Sequence, residues 1–321
     1  MTARRRTAVR WAIGLGLLAA LVAVFNPIAI LARLASVDLA RALPAIAGLV
    51  AMHLIAALSW RRLADRIGGV HIDGRTAVRL YYAAQAWGAV TPANLGADIY
   101  RVTALDPAEG RGGLAAAVVV QRLASVGALL VLGGIGALVV PIPEVRTFVL
   151  WLVLACAVIG AVAMLASRLG ISPGGTVGRL VGRVGLRDLR ARRGLATAIV
   201  RDGFGLALVF HGLSIGLAAV LVAAVDPTSA AIGPPVLGAI AIARLSLAVP
   251  ISPNGIGLQE GALSVLFVQL GMTPDVALAA SLLNRAALVA TAGLGWVALT
   301  LNARLNRDAP ARSSVSSPAK G

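Results

Sequence analysis

The chain is short of cysteine, lysine, histidine and acid. One cysteine, Cys156, lies in an apolar run, which excludes a disulfide framework and a cysteine-ligated metal. His53, His71 and His211 share no ligand spacing, so no metal site and no cofactor are expected. Lys320 is the sole lysine, and 13 Asp and Glu stand against 29 Lys and Arg, giving a formal net charge of +16. Such an excess can mark a nucleic-acid partner. Here the arginines sit mainly in short loops beside apolar segments, where membrane topology accounts for them, and no nucleic acid is expected. Polar stretches long enough for a soluble catalytic domain are missing too. So are a nucleophile elbow, a phosphate-binding glycine loop before a strand, and the Asp pair of a metal-dependent glycosyltransferase. The chain is not expected to be an enzyme.

What is present is apolar: 59% of residues, with a mean hydropathy of +0.88. That composition predicts an all-α integral membrane protein, a polytopic helical bundle. Full-length apolar segments fall at 11–32, 42–60, 114–140, 147–167, 203–225 and 277–301. Four pieces are shorter, at 77–91, 95–105, 236–250 and 257–271. Fifteen helical residues reach only ~22 Å, short of a ~30 Å hydrocarbon core. The expectation is about six full spans plus two re-entrant hairpins, and an eight-span count has the same parity. The domain expected is 1–307, with halves at 42–140 and 203–301 and a disordered cytoplasmic tail at 308–321. Arg4-Arg5-Arg6 before an apolar run has the shape of a signal sequence. The many segments that follow make it an uncleaved first helix.

Each short pair is joined at a similar break, Pro92-Ala93-Asn94-Leu95-Gly96-Ala97-Asp98 and Pro253-Asn254-Gly255-Ile256-Gly257-Leu258-Gln259-Glu260. Pro92 and Pro253 end helices; Asn94, Gly96, Gly255 and Gly257 permit tight turns, and Asn254 lies at the second tip. Simple helix kinks are the plainer alternative. Arg122 follows Asp98 by 24 residues and Arg285 follows Glu260 by 25, each behind an amide, Gln121 or Asn284. Asp98, Arg101, Arg122, Glu260 and Arg285 are the candidate binding residues, because an unpaired intramembrane charge costs about 2.5–3.5 kcal/mol on insertion scales. Placed around one midplane cavity, they would neutralise one another until an anionic headgroup displaced a carboxylate. Asp98 or Glu260 binding a proton, a sodium ion or a cationic headgroup is a second possibility. A structural salt-bridge network between hairpins is a third.

Arginine is dense at the N-terminus, at 61–79, at 168–201 and in the tail, and sparse at 33–41, 141–146 and 226–235. This bias places both termini in the cytoplasm and turns the two hairpins opposite ways, an inverted repeat. Arg179, Arg183, Arg187 and Arg190 share a helical face. They form either a headgroup-binding interfacial helix or a solvated loop. Trp11, Trp60, Trp151 and Trp296 read as interface anchors.

At PANLGADIYR (Pro92–Arg101), Gln121-Arg122 and PISPNGIGLQEG (Pro250–Gly261) the chain resembles the lysylphosphatidylglycerol synthase transmembrane-region family, a group of flippase-like membrane proteins. The resemblance extends to about residue 300. It implies a bacterial inner-membrane protein concerned with moving a lipid between leaflets. Bifunctional members carry a soluble aminoacyl-transfer domain, which does not follow here, so aminoacyl-lipid synthesis is not expected. The family often has Glu where this chain has Gln121, and Arg where it has Gln259. The expected partner is a lipid with a charged headgroup: a phospholipid, an aminoacyl lipid or a polyprenyl-linked lipid. Alternatives are an accessory subunit working with enzymes of envelope lipid or glycolipid biosynthesis, or a membrane transferase with Asp106 and Glu109 as its nearest carboxylates.

Overall fold

The computed structural model describes residues 3–105, 110–168, 197–226, 233–248 and 251–308. The expected interfacial helix at 179–190, the tail beyond Asp308, and Asp106 and Glu109 lie outside these residues. Every described element is helical, as composition predicts. In order they are α1 (Ala3–Val24), α2 (Pro27–Ala35), α3 (Leu39–Ala51) and α4 (His53–Leu63), which runs into a π-helical turn at Ala64–Gly68. Then come α5 (Gly74–Ala89), α6 (Leu95–Thr103), α7 (Arg111–Val139) and α8 (Pro143–Arg168). A second π-helical turn, Ala198–Gly205, opens α9 (Leu206–Val225). The chain continues with α10 (Pro234–Arg244) and its 3-10 turn Leu245–Ala248, α11 (Leu258–Gln269) and α12 (Pro274–Asp308).

By length and composition, Leu39–Gly68, Arg111–Val139, Pro143–Val162, Ala198–Val225 and Pro274–Leu301 can each cross a membrane. The α1–α2 pair makes a sixth span if it is counted as one. That pair corrects the expectation of a single helix over 11–32. The chain bends by 90° there. The residue before a proline is pushed out of the α region, and Asn26 takes φ 54°, its side chain accepting from Ala29 N–H to cap the helix that Pro27 begins. Asp73 caps α5 in the same manner, accepting from Arg75 and Thr76 N–H. The Thr76 hydroxyl, followed by these amides, holds its carboxyl below the usual carboxylate range.

Helices meet through small residues, as expected where lipid gives no hydrophobic drive between them. A Cβ on Gly136 would come within 2.8 Å of the Gly238 carbonyl oxygen, so α7 and α10 touch backbone to backbone. The pair Gly133-Gly134 serves close packing too, with Leu245 against Gly133 and Val153 against Gly134. One core packs Ala57, Trp60, Leu63, Leu114 and Ala117; another packs Ala219, Ala239, Phe267 and Ala277. Helix α8 touches the second core through Val145 and otherwise exposes Phe148, Trp151 and Ile159 as a lipid-facing helix would. Trp60 is not an interface anchor: it is fully buried, and its ring lies under the Arg101 guanidinium.

The four short pieces are where the site lies. Helix α5 packs against α6, and α10 with its 3-10 turn packs against α11. The halves of a merely kinked helix would not pack on each other, so these are hairpins. Gly257, at φ 78°, begins α11, and a Cβ there would sit 2.6 Å from the Gly14 carbonyl oxygen. Gly257→Ala therefore meets both backbone strain and a clash with α1. It is expected to cost about 2 kcal/mol in detergent unfolding, whereas Gly261→Ala, with only Leu21 nearby at 3.6 Å, should cost far less.

Candidate functional site

The two breaks fold alike. After the proline, two residues take positive φ: Ala93 (48°) and Asn94 (60°) in the first, Asn254 (44°) and Gly255 (68°) in the second. Gly96 takes no positive φ and serves the tight turn by its lack of a side chain. A Cβ there would lie 2.5 Å from the Trp87 carbonyl oxygen, and its N–H donates to Thr91 Oγ1 at 2.7 Å. The tips touch each other. Pro92 and Pro253 form an isolated antiparallel bridge, and Asn254 N–H donates to the Thr91 carbonyl at 3.4 Å.

Each arginine returns to its own break. Arg122 pairs with Asp98 Oδ2, and its Nη2 donates to the Ala93 carbonyl at 2.5 Å. Arg285 Nε donates to Glu260 Oε1 at 2.5 Å and its Nη1 to the Asn254 carbonyl at 3.0 Å. In both cases the arginine binds the motif carboxylate and the carbonyl just past the proline. The spacing noted in the sequence thus has a physical cause: a guanidinium has enough donors to neutralise an acid and clamp a tip together.

The copies differ in charge and burial. Glu260 is enclosed, with its side chain 2% exposed; its second oxygen accepts from Gly257 N–H at 2.8 Å, capping α11 where the helix dipole favours an anion. Arg285 is 12% exposed and also reaches the Gly255 carbonyl at 3.2 Å. The ion pair of this break is neutral, and both Glu260 oxygens are engaged. The first break carries an extra cation, because Arg101 stands one turn after Asp98 whereas Leu263 stands one turn after Glu260. Arg101 Nη2 donates to Asp98 Oδ1 at 2.6 Å and Nη1 to Gln121 Oε1 at 2.5 Å, with the Tyr81 and Trp60 rings 5.0 and 5.9 Å away. Gln121 is held by its own N–H to the Ala56 carbonyl at 2.8 Å. A neutral amide therefore stands beside Arg101, and one carboxylate is shared by two guanidiniums.

A cavity of about 230 Å³ opens at the first break. Asp98, Arg101, Arg122 and Gln121 line it, with Ser125 and His211. Glu260 and Arg285 do not reach its wall, so the five candidate residues form two clusters rather than one. Arg122, at 37% exposed, is the open member of the first; Asp98 is 16% exposed.

Two charged residues escaped the sequence reading. Asp202, fully enclosed in the second π-helical turn, lies 3.3 Å from Arg62, 3.2 Å from Arg66 and 3.1 Å from Arg201. Arg244, on α10, is buried and donates to the Ser214 carbonyl at 3.2 Å. Both signals were legible: an acid at the end of an Arg-rich stretch, and a cation inside an otherwise uncharged apolar run.

Hairpins with polar tips, intramembrane ion pairs and lipid-facing apolar helices define a polytopic helical membrane protein. The family model described as the lysylphosphatidylglycerol synthase TM region matches residues 8–295, and the chain belongs to that family. No curated protein and no solved structure matches it.

Proposed function

We propose that this protein moves a lipid with a charged headgroup between membrane leaflets, taking the headgroup into the cavity at the first break. The observation that carries this reading is Asp98, one carboxylate shared by Arg101 and by the part-exposed Arg122 on the cavity wall. Two cations against one anion leave the wall short of negative charge. A phosphate arriving there takes Arg122 as a bidentate partner, while Asp98 stays with Arg101. The cavity is smaller than the roughly 300–1,000 Å³ of a drug-sized pocket, which suits a headgroup and leaves the acyl chains in lipid.

In this reading the hairpins are gates turned opposite ways in an inner membrane, with both chain ends cytoplasmic. The second break is the braced gate, held by Glu260 and Arg285. The test is leaflet exchange of headgroup-labelled lipids in proteoliposomes. Arg122→Ala is expected to lower the rate at least about tenfold, because losing one charge-assisted phosphate contact is worth about 1.5–3 kcal/mol. Its part-exposed position should keep the stability loss below about 1 kcal/mol. Exchange no faster with wild-type protein than in empty vesicles would sink the reading for the lipids tried.

A further inference from the structure

Arg244 is a buried guanidinium without a counter-ion. It is 5% exposed, and among the described residues no carboxylate pairs with it. Of its five N–H donors, one reaches the Ser214 carbonyl. Arg244 Nε, the Ser214 hydroxyl and His211 Nδ1 are all enclosed without a hydrogen-bond partner. A cation that only braced the fold would be expected to have an acid, as Arg285 has Glu260, because a buried unpaired charge is strongly destabilising.

Of these three side chains His211 lines the cavity, and Ser214 with Arg244 lies buried behind its wall, joined by the bond from Arg244 to the Ser214 carbonyl. His211 and Ser214 lie one turn apart on α9, on the same face. His211 Nε2 lies 2.7 Å from Ser125 Oγ. Leu247, three residues after Arg244, lines it too. With Arg244 added, the region holds three arginines against Asp98 alone, while the possible second acid is the neutral Gln121.

We infer that Arg244, Ser214 and His211 form a second anion subsite, so that the favoured headgroup carries two negative charges. Its class is a phosphomonoester or a diphosphate rather than a phosphodiester monoanion. Arg122 receives one charged oxygen and Arg244 attracts the other, with the Ser214 hydroxyl and His211 as short-range donors. The inference rests on the proposed headgroup cavity and narrows its substrate.

The test compares binding of phosphatidic acid and phosphatidylglycerol in nanodiscs near neutral pH, with inorganic pyrophosphate as a lipid-free probe. Wild type is expected to favour phosphatidic acid at least about tenfold, the effect of one added charge-assisted contact. Arg244→Gln should erase that preference by weakening phosphatidic acid at least about tenfold more than phosphatidylglycerol, while Arg244→Lys keeps part of it. Unliganded Arg244→Gln should melt no lower than wild type, since it removes a buried charge; a bracing residue would lower the melting point. Pyrophosphate binding lost in Arg244→Gln, without a preference between the lipids, also supports the subsite and makes the ligand a free anion. Equal binding of both lipids by wild type, with pyrophosphate unbound or indifferent to the substitution, overturns the subsite. Translocation then still stands or falls on Arg122→Ala. Binding of no probe by wild type overturns both.

Discussion

Glu260→Gln is expected to destabilise the protein by about 3–5 kcal/mol, and Asp98→Asn by much less. Glutamine preserves the size of the side chain and an oxygen for Gly257 N–H, so the cap of α11 can survive. What it removes is the charge opposite Arg285, a guanidinium 12% exposed whose other bonds go to backbone carbonyls and the Gln259 amide. The fall is therefore the cost of stranding a buried cation. Asp98 lies at a cavity wall, and one of its two partners, Arg122, is 37% exposed and keeps the Ala93 carbonyl. Its other partner, Arg101, is 7% exposed but keeps the Gln121 oxygen and the Tyr81 and Trp60 rings, so neither cation is left without a partner. The double substitution Glu260→Gln with Arg285→Gln should recover part of the loss, because it removes both charges together. Denaturant unfolding in a single detergent, followed for all three variants, reads the order. Equal losses for Glu260→Gln and Asp98→Asn would remove the distinction between a bracing break and a binding one.

That distinction was beyond the sequence, although the two breaks were not. Proline, small residues and a carboxylate inside apolar runs are unambiguous once the runs are too short to span, and the 24- and 25-residue spacings to Arg122 and Arg285 mark the repeat. Periodicity and composition also fix the helical class. What they do not carry is depth relative to neighbouring helices. Glu260 and Asp98 look alike in one dimension, yet Gly14 of α1 closes over Gly257 at the second break while a cavity adjoins the first. The asymmetry does have a trace in the letters, Arg101 against Leu263, which becomes meaningful only when the motifs are aligned on their carboxylates. Asn26-Pro27 was a readable bend hidden by the hydropathy around it. Trp60 was misplaced because a tryptophan near a helix end has two uses, anchoring at headgroups or shielding a buried guanidinium, and end position alone does not choose.

Locking the two tips together is expected to abolish exchange. Pro92 and Pro253 are opposed in an antiparallel bridge, where facing Cα atoms stand about 4.5–5.5 Å apart. That span suits a disulfide, whose Cα atoms are usually about 4.4–6.8 Å apart. Pro92→Cys with Pro253→Cys, in a background where Cys156→Ala removes the native thiol, should therefore cross-link on mild oxidation. If the hairpins are gates, a headgroup held by Arg122 can leave toward the second hairpin only when this contact opens. The contact itself is slight: one bridge and one 3.4 Å hydrogen bond from Asn254 N–H to the Thr91 carbonyl. Each tip is tied far more strongly to its own arginine, Ala93 to Arg122 and Asn254 to Arg285. Parting the tips while each hairpin moves with its own clamp is thus the low-cost motion, and a covalent bond would block it without disturbing either ion pair. Oxidised protein should exchange lipid at least about tenfold more slowly than the same protein after reduction, a barrier difference of about 1.4 kcal/mol or more. The reduced form controls for loss of the two prolines. Cross-linked protein that exchanges at the reduced rate would show that the tips stay joined during turnover, and the path would then have to run past Arg122 without passing between the hairpins.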